Sequence, residues 1–226
     1  MQARKIATRL LSCTVCPAPN ANLSRVSSDD SYLPDDEVLL AARGRAEEFG
    51  CTPVCPAAGA VLTFLATSLR ARAVVEIGTG TGVSGLYLLR GMSPDGVLTS
   101  IDIEPEFHRA ARKTFVDAGF PSGRTRLIMG RALDVLPRLT TGGYDLVFVD
   151  AARAEYLGYY ELGVQLLRPG GVLAFHGVLT PRTEVPGRRE PSLLATRELG
   201  RAFREDKRLV PLLLPLGGGL LVGAAR

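Results

Sequence analysis

Apolar residues are grouped in short runs that recur at regular intervals from residue 73 to the end of the chain. Runs of five or six mostly apolar residues predict strands, and the longer segments between them predict helices. The predicted strands span 73–77, 97–102, 125–129, 144–149, 171–176, 209–214 and 219–224. The predicted helices between them span 83–91, 105–118, 132–139, 154–167 and 192–205.

Strands that alternate with helices favour an α/β fold with a doubly wound, mostly parallel seven-stranded sheet of the Rossmann-like type. The last two strands are joined through Gly217-Gly218-Gly219, which is too short for a crossover and predicts a C-terminal antiparallel hairpin. Two extra N-terminal helices are predicted over 35–49 and 56–69. Residues 1–32 are rich in Ser, Asn and Pro without a clear period, so we expect a flexible extension followed by one domain over 33–226.

The composition is that of a globular protein, with 46% hydrophobic and 22% charged residues in a chain of 226. The net charge of +4 comes from scattered residues, so it does not indicate a nucleic-acid partner. No apolar run reaches the roughly 18 residues that span a membrane. We therefore expect a cytoplasmic protein that binds neither nucleic acid nor membrane.

The richest motif follows the first strand, where Glu76 is followed by glycines at alternate positions, Gly78, Gly80 and Gly82. Glycines at such a turn let the backbone approach a ligand closely, and the next helix offers free N–H groups. Asp102 ends the second strand, where a carboxylate can accept hydrogen bonds from ribose hydroxyls. The motif therefore predicts a nucleoside cofactor at the carboxyl ends of the strands.

Two cofactors fit this description. Residues 80–85 also match the G-x-G-x-x-G pattern of dinucleotide sites, which would make the chain an NAD-dependent oxidoreductase. However, Glu76 would repel a pyrophosphate, whereas a carboxylate there suits the cationic amino group of S-adenosylmethionine (SAM). Asp102 fits either ribose and does not choose between them. The terminal hairpin favours a SAM-dependent methyltransferase.

Five segments carry a more specific resemblance: 74–84, 100–106, 130–137, 144–150 and 167–171. Over about residues 35–226 the chain resembles the small cation-dependent O-methyltransferases of the catechol and caffeoyl-CoA type, especially their bacterial relatives. The resemblance implies methyl transfer from SAM to a hydroxyl of a small, catechol-like aromatic acceptor, and it implies a homodimer.

The resemblance also implies cofactor contacts. Val54 and Ser84 would contact the methionine part of SAM, and Asp102 would hold the ribose. Ile103 would lie against the adenine, which Ala132 and Leu133 would border. The complete implied set is Val54, Glu76, Gly78, Thr79, Gly80, Gly82, Ser84, Asp102, Ile103, Ala132, Leu133, Asp150 and Ala152.

The chain departs from the family at the expected metal site. Relatives usually have Asp-Asn after the fifth strand, whereas this chain has His176-Gly177, and their lysine after Asp150 is replaced by Arg153. Mg²⁺ prefers oxygen ligands, imidazole suits softer metals, and arginine keeps its proton and cannot act as a base.

These departures leave several roles open. Asp150, Arg153 and His176 are the predicted catalytic residues. Asp150 and His176 are also possible ligands of a divalent cation, although His176 could instead be the base of a metal-free reaction or a ring that only fills space. A SAM-binding protein with weakened catalysis and a regulatory role is the alternative function.

Overall fold

The computed structural model describes residues 34–179 and 191–226, so the predicted extension 1–32 lies outside the described residues. Seven strands form one sheet: β1 Ala73–Ile77, β2 Val97–Asp102, β3 Thr125–Met129, β4 Tyr144–Val149, β5 Leu167–His176, β6 Leu209–Leu214 and β7 Leu220–Ala225. The helices are α1 Glu37–Glu48, α2 Pro56–Ser68, α3 Val83–Gly91, α4 Pro105–Asp117, α5 Ala132–Val135, α6 Tyr156–Leu166 and α7 Pro191–Glu205.

The strand order β3-β2-β1-β4-β5-β7-β6 confirms the predicted doubly wound sheet. Strands β1 to β5 pair in parallel, while β7 pairs antiparallel with both β5 and β6. The C-terminal antiparallel hairpin is therefore confirmed as well. Because β1 has β2 on one side and β4 on the other, the chain changes direction across the sheet at this point, where such folds bind ligands.

The largest difference from the predicted elements lies at β5, which begins at Leu167 instead of residue 171. Leu167 pairs with Tyr144, and the register then shifts before Val172 pairs with Leu146. The apolar run of the preceding helix continues into Leu167, so its pattern cannot locate the boundary. Further along, α6 begins only at Tyr156, after a short 3-10 turn over Arg153–Glu155.

Both faces of the sheet are covered, which explains why the central strands are almost entirely apolar. Along β1, Val74 packs with the cluster under α1 to α4, while Val75 packs with the cluster under α5 to α7. Phe148 and Val149 divide in the same way on β4. Within the described ranges, no helix is long and apolar enough to cross a membrane.

Helices α2 and α3 pack closely at Gly91, and this contact supplies a first prediction. A Cβ on Gly91 would lie 2.3 Å from the Thr63 carbonyl oxygen and 2.9 Å from the Ala66 Cβ. We expect Gly91→Ala to lower the free energy of unfolding by about 1–3 kcal/mol, because the helices must separate to admit the methyl group. Urea denaturation measures the change.

Gly44→Ala is the matched control for that variant, because a Cβ on Gly44 would meet nothing within 4 Å. Gly44 lies inside α1, so we expect the control to gain up to about 1 kcal/mol from helix propensity. Equal stabilities for the two variants would contradict the close packing of α2 against α3.

Candidate functional site

A cavity of about 380 Å³ opens at the carboxyl ends of β1, β2 and β4. Its walls come from the glycine loop after β1, the end of β2, the turn before α5, the segment after β4 and the loop between α1 and α2. Ten of the residues predicted as cofactor contacts line it: Val54, Gly78, Thr79, Gly80, Ser84, Asp102, Ile103, Ala132, Asp150 and Ala152.

Glu76 is the main exception, because its side chain is fully buried beneath the wall. Ser84 Oγ donates to Glu76 Oε1 at 2.6 Å, and Ser100 Oγ donates to Oε2 at 2.6 Å. Burial raises the pKa of Glu76 to about 7, although both serine bonds oppose the rise. Glu76 therefore does not line the cavity as expected: Ser84 lies on the wall, and Glu76 holds Ser84 from behind.

Two other residues predicted as cofactor contacts, Gly82 and Leu133, do not line the cavity. Gly82 precedes α3 with φ +86°, and a Cβ there would lie 3.0 Å from Ala111 Cα, so this glycine serves packing of α3 against α4. The Leu133 side chain packs beside Gly158 of α6, so it does not border the cavity as expected. Ala132 alone of the predicted pair contributes to the wall.

Asp102 fixes the glycine loop. Its Oδ2 accepts hydrogen bonds from the backbone N–H groups of Thr79 at 2.9 Å and Gly80 at 3.1 Å, while Oδ1 accepts from Glu104 N–H at 3.1 Å. Beside it, Ile103 is 58% exposed and forms an apolar surface with Phe107. This pairing of a strand-end carboxylate with an apolar plate suits a ribose and its base.

Several wall residues were not found from the sequence. Cys51 lies in the loop between α1 and α2, and the pair Arg131 and Glu155 closes the cavity beside α5 with an ion pair of 2.9 Å. Tyr159 Oη donates to Glu155 Oε2 at 2.5 Å. Arg131 directly precedes the predicted contact Ala132, and this position could have identified Arg131 as a wall residue. No sequence pattern indicates that Cys51 lies at the cavity.

Asp150 faces the cavity and is held from behind by His176. Their Oδ1 and Nδ1 atoms lie 3.0 Å apart, while His176 Nε2 is buried without a hydrogen-bond partner among the described residues. Burial lowers the pKa of His176, but the hydrogen bond and charge of Asp150 outweigh it and leave the pKa raised. Tyr156 Oη donates to the His176 carbonyl at 2.7 Å and fixes the end of β5. His176 itself does not line the cavity.

Arg153 also lies off the cavity wall, beside Gly177. A Cβ on Gly177 would lie only 2.9 Å from Arg153 Nη2, so the guanidinium fills the space that a side chain at residue 177 would need. Within the described ranges, no three His, Cys, Asp or Glu residues form a metal-binding group. One carboxylate, one imidazole and a neighbouring guanidinium do not fit the oxygen cage that Mg²⁺ requires.

Comparison with known proteins shows which family has a matching sequence. The family model described as O-methyltransferase matches residues 35–225. A Mycobacterium tuberculosis protein named a probable O-methyltransferase is 48% identical over 206 residues, covering 91% of this chain and 92% of the relative.

Solved structures agree with that match. A Corynebacterium glutamicum protein is 29% identical with a TM-score of 0.81, and the alignment covers 91% of this chain and 97% of that protein. The O-methyltransferase TomG from Streptomyces achromogenes, involved in tomaymycin synthesis and solved in complex with SAM, is 28% identical with a TM-score of 0.79. That alignment covers 87% of this chain and 93% of TomG.

Proposed function

Since the chain belongs to the O-methyltransferase family and is a SAM-dependent O-methyltransferase, we propose that it methylates a hydroxyl of a small, catechol-like aromatic acceptor. The observation that carries the proposal is the half-buried Asp150, which lines the cavity and whose carboxylate lies 3.0 Å from His176 Nδ1. Asp150 directly follows β4, the strand next to the one that carries the glycine loop.

The cavity supports SAM as the methyl donor. When bound, SAM supplies a methyl group on a sulfonium, which makes the methyl carbon electrophilic. We infer that Asp102 holds the ribose hydroxyls, that Ile103 and Phe107 contact the adenine, and that Ser84 and Val54 contact the methionine part, because all five line the cavity. These residues occupy separate walls of one cavity, as an extended nucleoside requires.

The acceptor hydroxyl must lose its proton to become a nucleophile. A phenol of pKa ~10 is ionised about one part in a thousand at pH 7, which corresponds to a deficit of roughly 4 kcal/mol. Among the carboxylates on the wall, we infer that Asp150 receives this proton, and its hydrogen bond with His176 Nδ1 keeps it oriented. His176 is therefore a positioning residue in this proposal, acting through Asp150.

The proposed acceptor is tested by methyl transfer from labelled SAM to a panel of phenols, catechols, aliphatic alcohols and carboxylic acids. We expect turnover on the phenols and catechols and a loss of about 100-fold or more in Asp150→Asn, which keeps the shape but not the base. Calorimetric titration with S-adenosylhomocysteine (SAH) shows whether the variant still holds the cofactor. Tight SAH binding with no turnover on any aromatic acceptor would contradict the proposed acceptor class and favour a SAM-binding role.

We also propose a homodimer, supported by the edge strand β6. Val210 and Leu212 are 50% and 54% exposed on this strand. An open apolar edge of a sheet favours association with another chain. We expect sedimentation velocity to give the mass of two chains, and Leu212→Lys to shift the protein toward one. Val116→Lys is the control, because Val116 is as exposed on α4, away from this edge. A wild-type monomer at micromolar concentration would contradict the proposal.

A further inference from the structure

Arg153 lies at the opening between the carboxyl ends of β4 and β5. It begins the 3-10 turn after β4, and its guanidinium packs on the backbone of Gly177, which follows β5. A Cβ on Gly177 would lie 2.9 Å from Nη2, 3.5 Å from Nε and 3.6 Å from Cζ. The flat guanidinium group is therefore held over the end of β5, beside the pair formed by Asp150 and His176.

The positive charge of Arg153 is not neutralised by the described part of the protein. No acidic residue in 34–179 or 191–226 forms an ion pair with it. Asp150, the acid of the site, is bonded to His176 Nδ1 instead. Arg153 is exposed, and its guanidinium also bonds with the hydroxyl of Tyr156. A guanidinium has five N–H donors, so others remain to meet an anion that enters beside Asp150.

We propose that Arg153 is the oxyanion-binding group of the acceptor site, and that its guanidinium replaces the divalent cation that the resemblance to cation-dependent O-methyltransferases implies. The inference rests on the proposed function, because it assigns a residue to the acceptor of the same reaction. It makes methyl transfer by this chain independent of added metal.

The small size of Gly177 and the positive charge of Arg153 both support the replacement of a metal ion by the guanidinium. Gly177 has φ +71°, so a larger residue would be strained there as well as blocked by Arg153. A guanidinium in this position repels a cation that would bind Asp150 and His176. The same group donates charge-assisted hydrogen bonds to an anionic oxygen at any working pH.

The reaction balances with these groups. The acceptor hydroxyl gives its proton to the Asp150 carboxylate and keeps the electron pair, which Arg153 stabilises. That pair forms the bond to the methyl carbon while the carbon–sulfur bond breaks, and the sulfur leaves as a neutral thioether. Two hydroxyls are needed to chelate a metal, but one is enough for a guanidinium, so the acceptor class extends to aromatics with a single acidic hydroxyl.

The test uses the full chain after removal of metals by chelator, saturated with SAH, and 4-nitrophenol as the probe. The nitrophenolate absorbs visible light, so its absorbance against pH gives the pKa of the bound phenol. We expect the wild type to lower this pKa by one unit or more relative to free probe, and Arg153→Met to remove the shift while retaining SAH binding. Arg153→Lys should keep part of this pKa shift. Arg126 is an exposed arginine on β3, and Arg126→Met should keep the whole shift.

Turnover of the best acceptor then gives the second readout. We expect wild-type rates in chelator and in added Mg²⁺ to agree within about twofold, and Arg153→Met to lose about 100-fold. A shift that needs added metal, a wild type that binds SAH without shifting the probe, or an unchanged shift in Arg153→Met would overturn the inference and leave the proposed function standing. Failure of the wild type to bind SAH would overturn the proposed function, and the inference with it.

Discussion

Replacement of Gly78 by alanine is expected to weaken SAH binding by 100-fold or more and to abolish turnover. Gly78 has φ +95°, and a Cβ built on it would lie 2.2 Å from the carbonyl oxygen of Asp150. The obstruction is backbone, which cannot rotate away as a side chain can. Asp150 N–H also donates to Ile77 O at 2.8 Å, so the ends of β1 and β4 are bonded where the methyl group would push them apart.

Gly78→Ala would affect both cofactor binding and turnover, because Gly78 begins the cofactor loop and Asp150 carries the proposed base. Calorimetric titration with SAH measures the first effect, and methyl transfer from labelled SAM measures the second. A 100-fold loss of affinity corresponds to about 3 kcal/mol, which is the scale expected from a strained backbone at a ligand site.

Gly80→Ala is the matched control in the same loop. Gly80 also has a positive φ, +48°, but the nearest atom to its added Cβ would be Cys51 Sγ at 3.5 Å, an ordinary contact. Only the left-handed backbone then opposes alanine, at about 1–2 kcal/mol. We expect SAH affinity to fall by no more than about 30-fold in this variant. Similar losses at both positions would show that backbone conformation, and not the approach of Asp150, makes Gly78 necessary.

This contrast shows what the sequence could and could not predict. The alternation of apolar runs was sufficient for the seven strands and for a doubly wound, mostly parallel sheet, because both faces of the central strands are covered and these strands are mostly apolar. The sequence pattern also predicted that Asp102 and Asp150 lie near each other, since residues at the carboxyl ends of parallel strands meet at one edge of the sheet. The sequence pattern contains no information that distinguishes Gly78, which lies under a neighbouring backbone, from Gly82, which faces α4.

The direction of individual side chains was the other limit. Leu133 and Ala132 are adjacent in the short helix α5, yet only Ala132 faces the cavity. His176 ends β5 as predicted, but its ring lies behind Asp150 because Nδ1 is paired with that carboxylate. These outcomes depend on contacts between elements far apart in the chain. Cys51 reaches the wall for the same reason, through a loop that no motif marks.

Glu76 supplies the second prediction, a fall in stability as pH rises from about 5 to 8. Its side chain is 0% exposed, and burial, the largest influence, raises its pKa from an ordinary value of 4.5 to about 7. Between these values the native protein binds more protons at Glu76 than the unfolded chain does. The free energy of unfolding therefore falls as pH rises across the window, by roughly 3 kcal/mol from this residue.

Glu76→Gln should remove this slope, because the amide has the same shape and no charge to bury. Its oxygen and nitrogen can still bond with Ser84 and Ser100, whose hydroxyls rotate to suit. Urea denaturation at pH 5.5, 7 and 8.5 gives the slopes of the wild type and the variant. Glu161→Gln is the control: Glu161 is exposed on α6, so its charge meets water in both states and the wild-type slope should persist.

The cofactor explains why a buried carboxylate is useful at this position. SAM carries an ammonium, a sulfonium and one carboxylate, so its net charge favours the ionised form of Glu76 behind Ser84. Binding should then release a proton near pH 7, and the observed enthalpy of SAM binding should differ between phosphate and Tris, whose ionisation enthalpies differ. In Glu76→Gln that difference should shrink and the affinity for SAM should fall more than the affinity for SAH, which lacks the sulfonium. An unchanged buffer dependence in the variant would show that Glu76 has a structural role only.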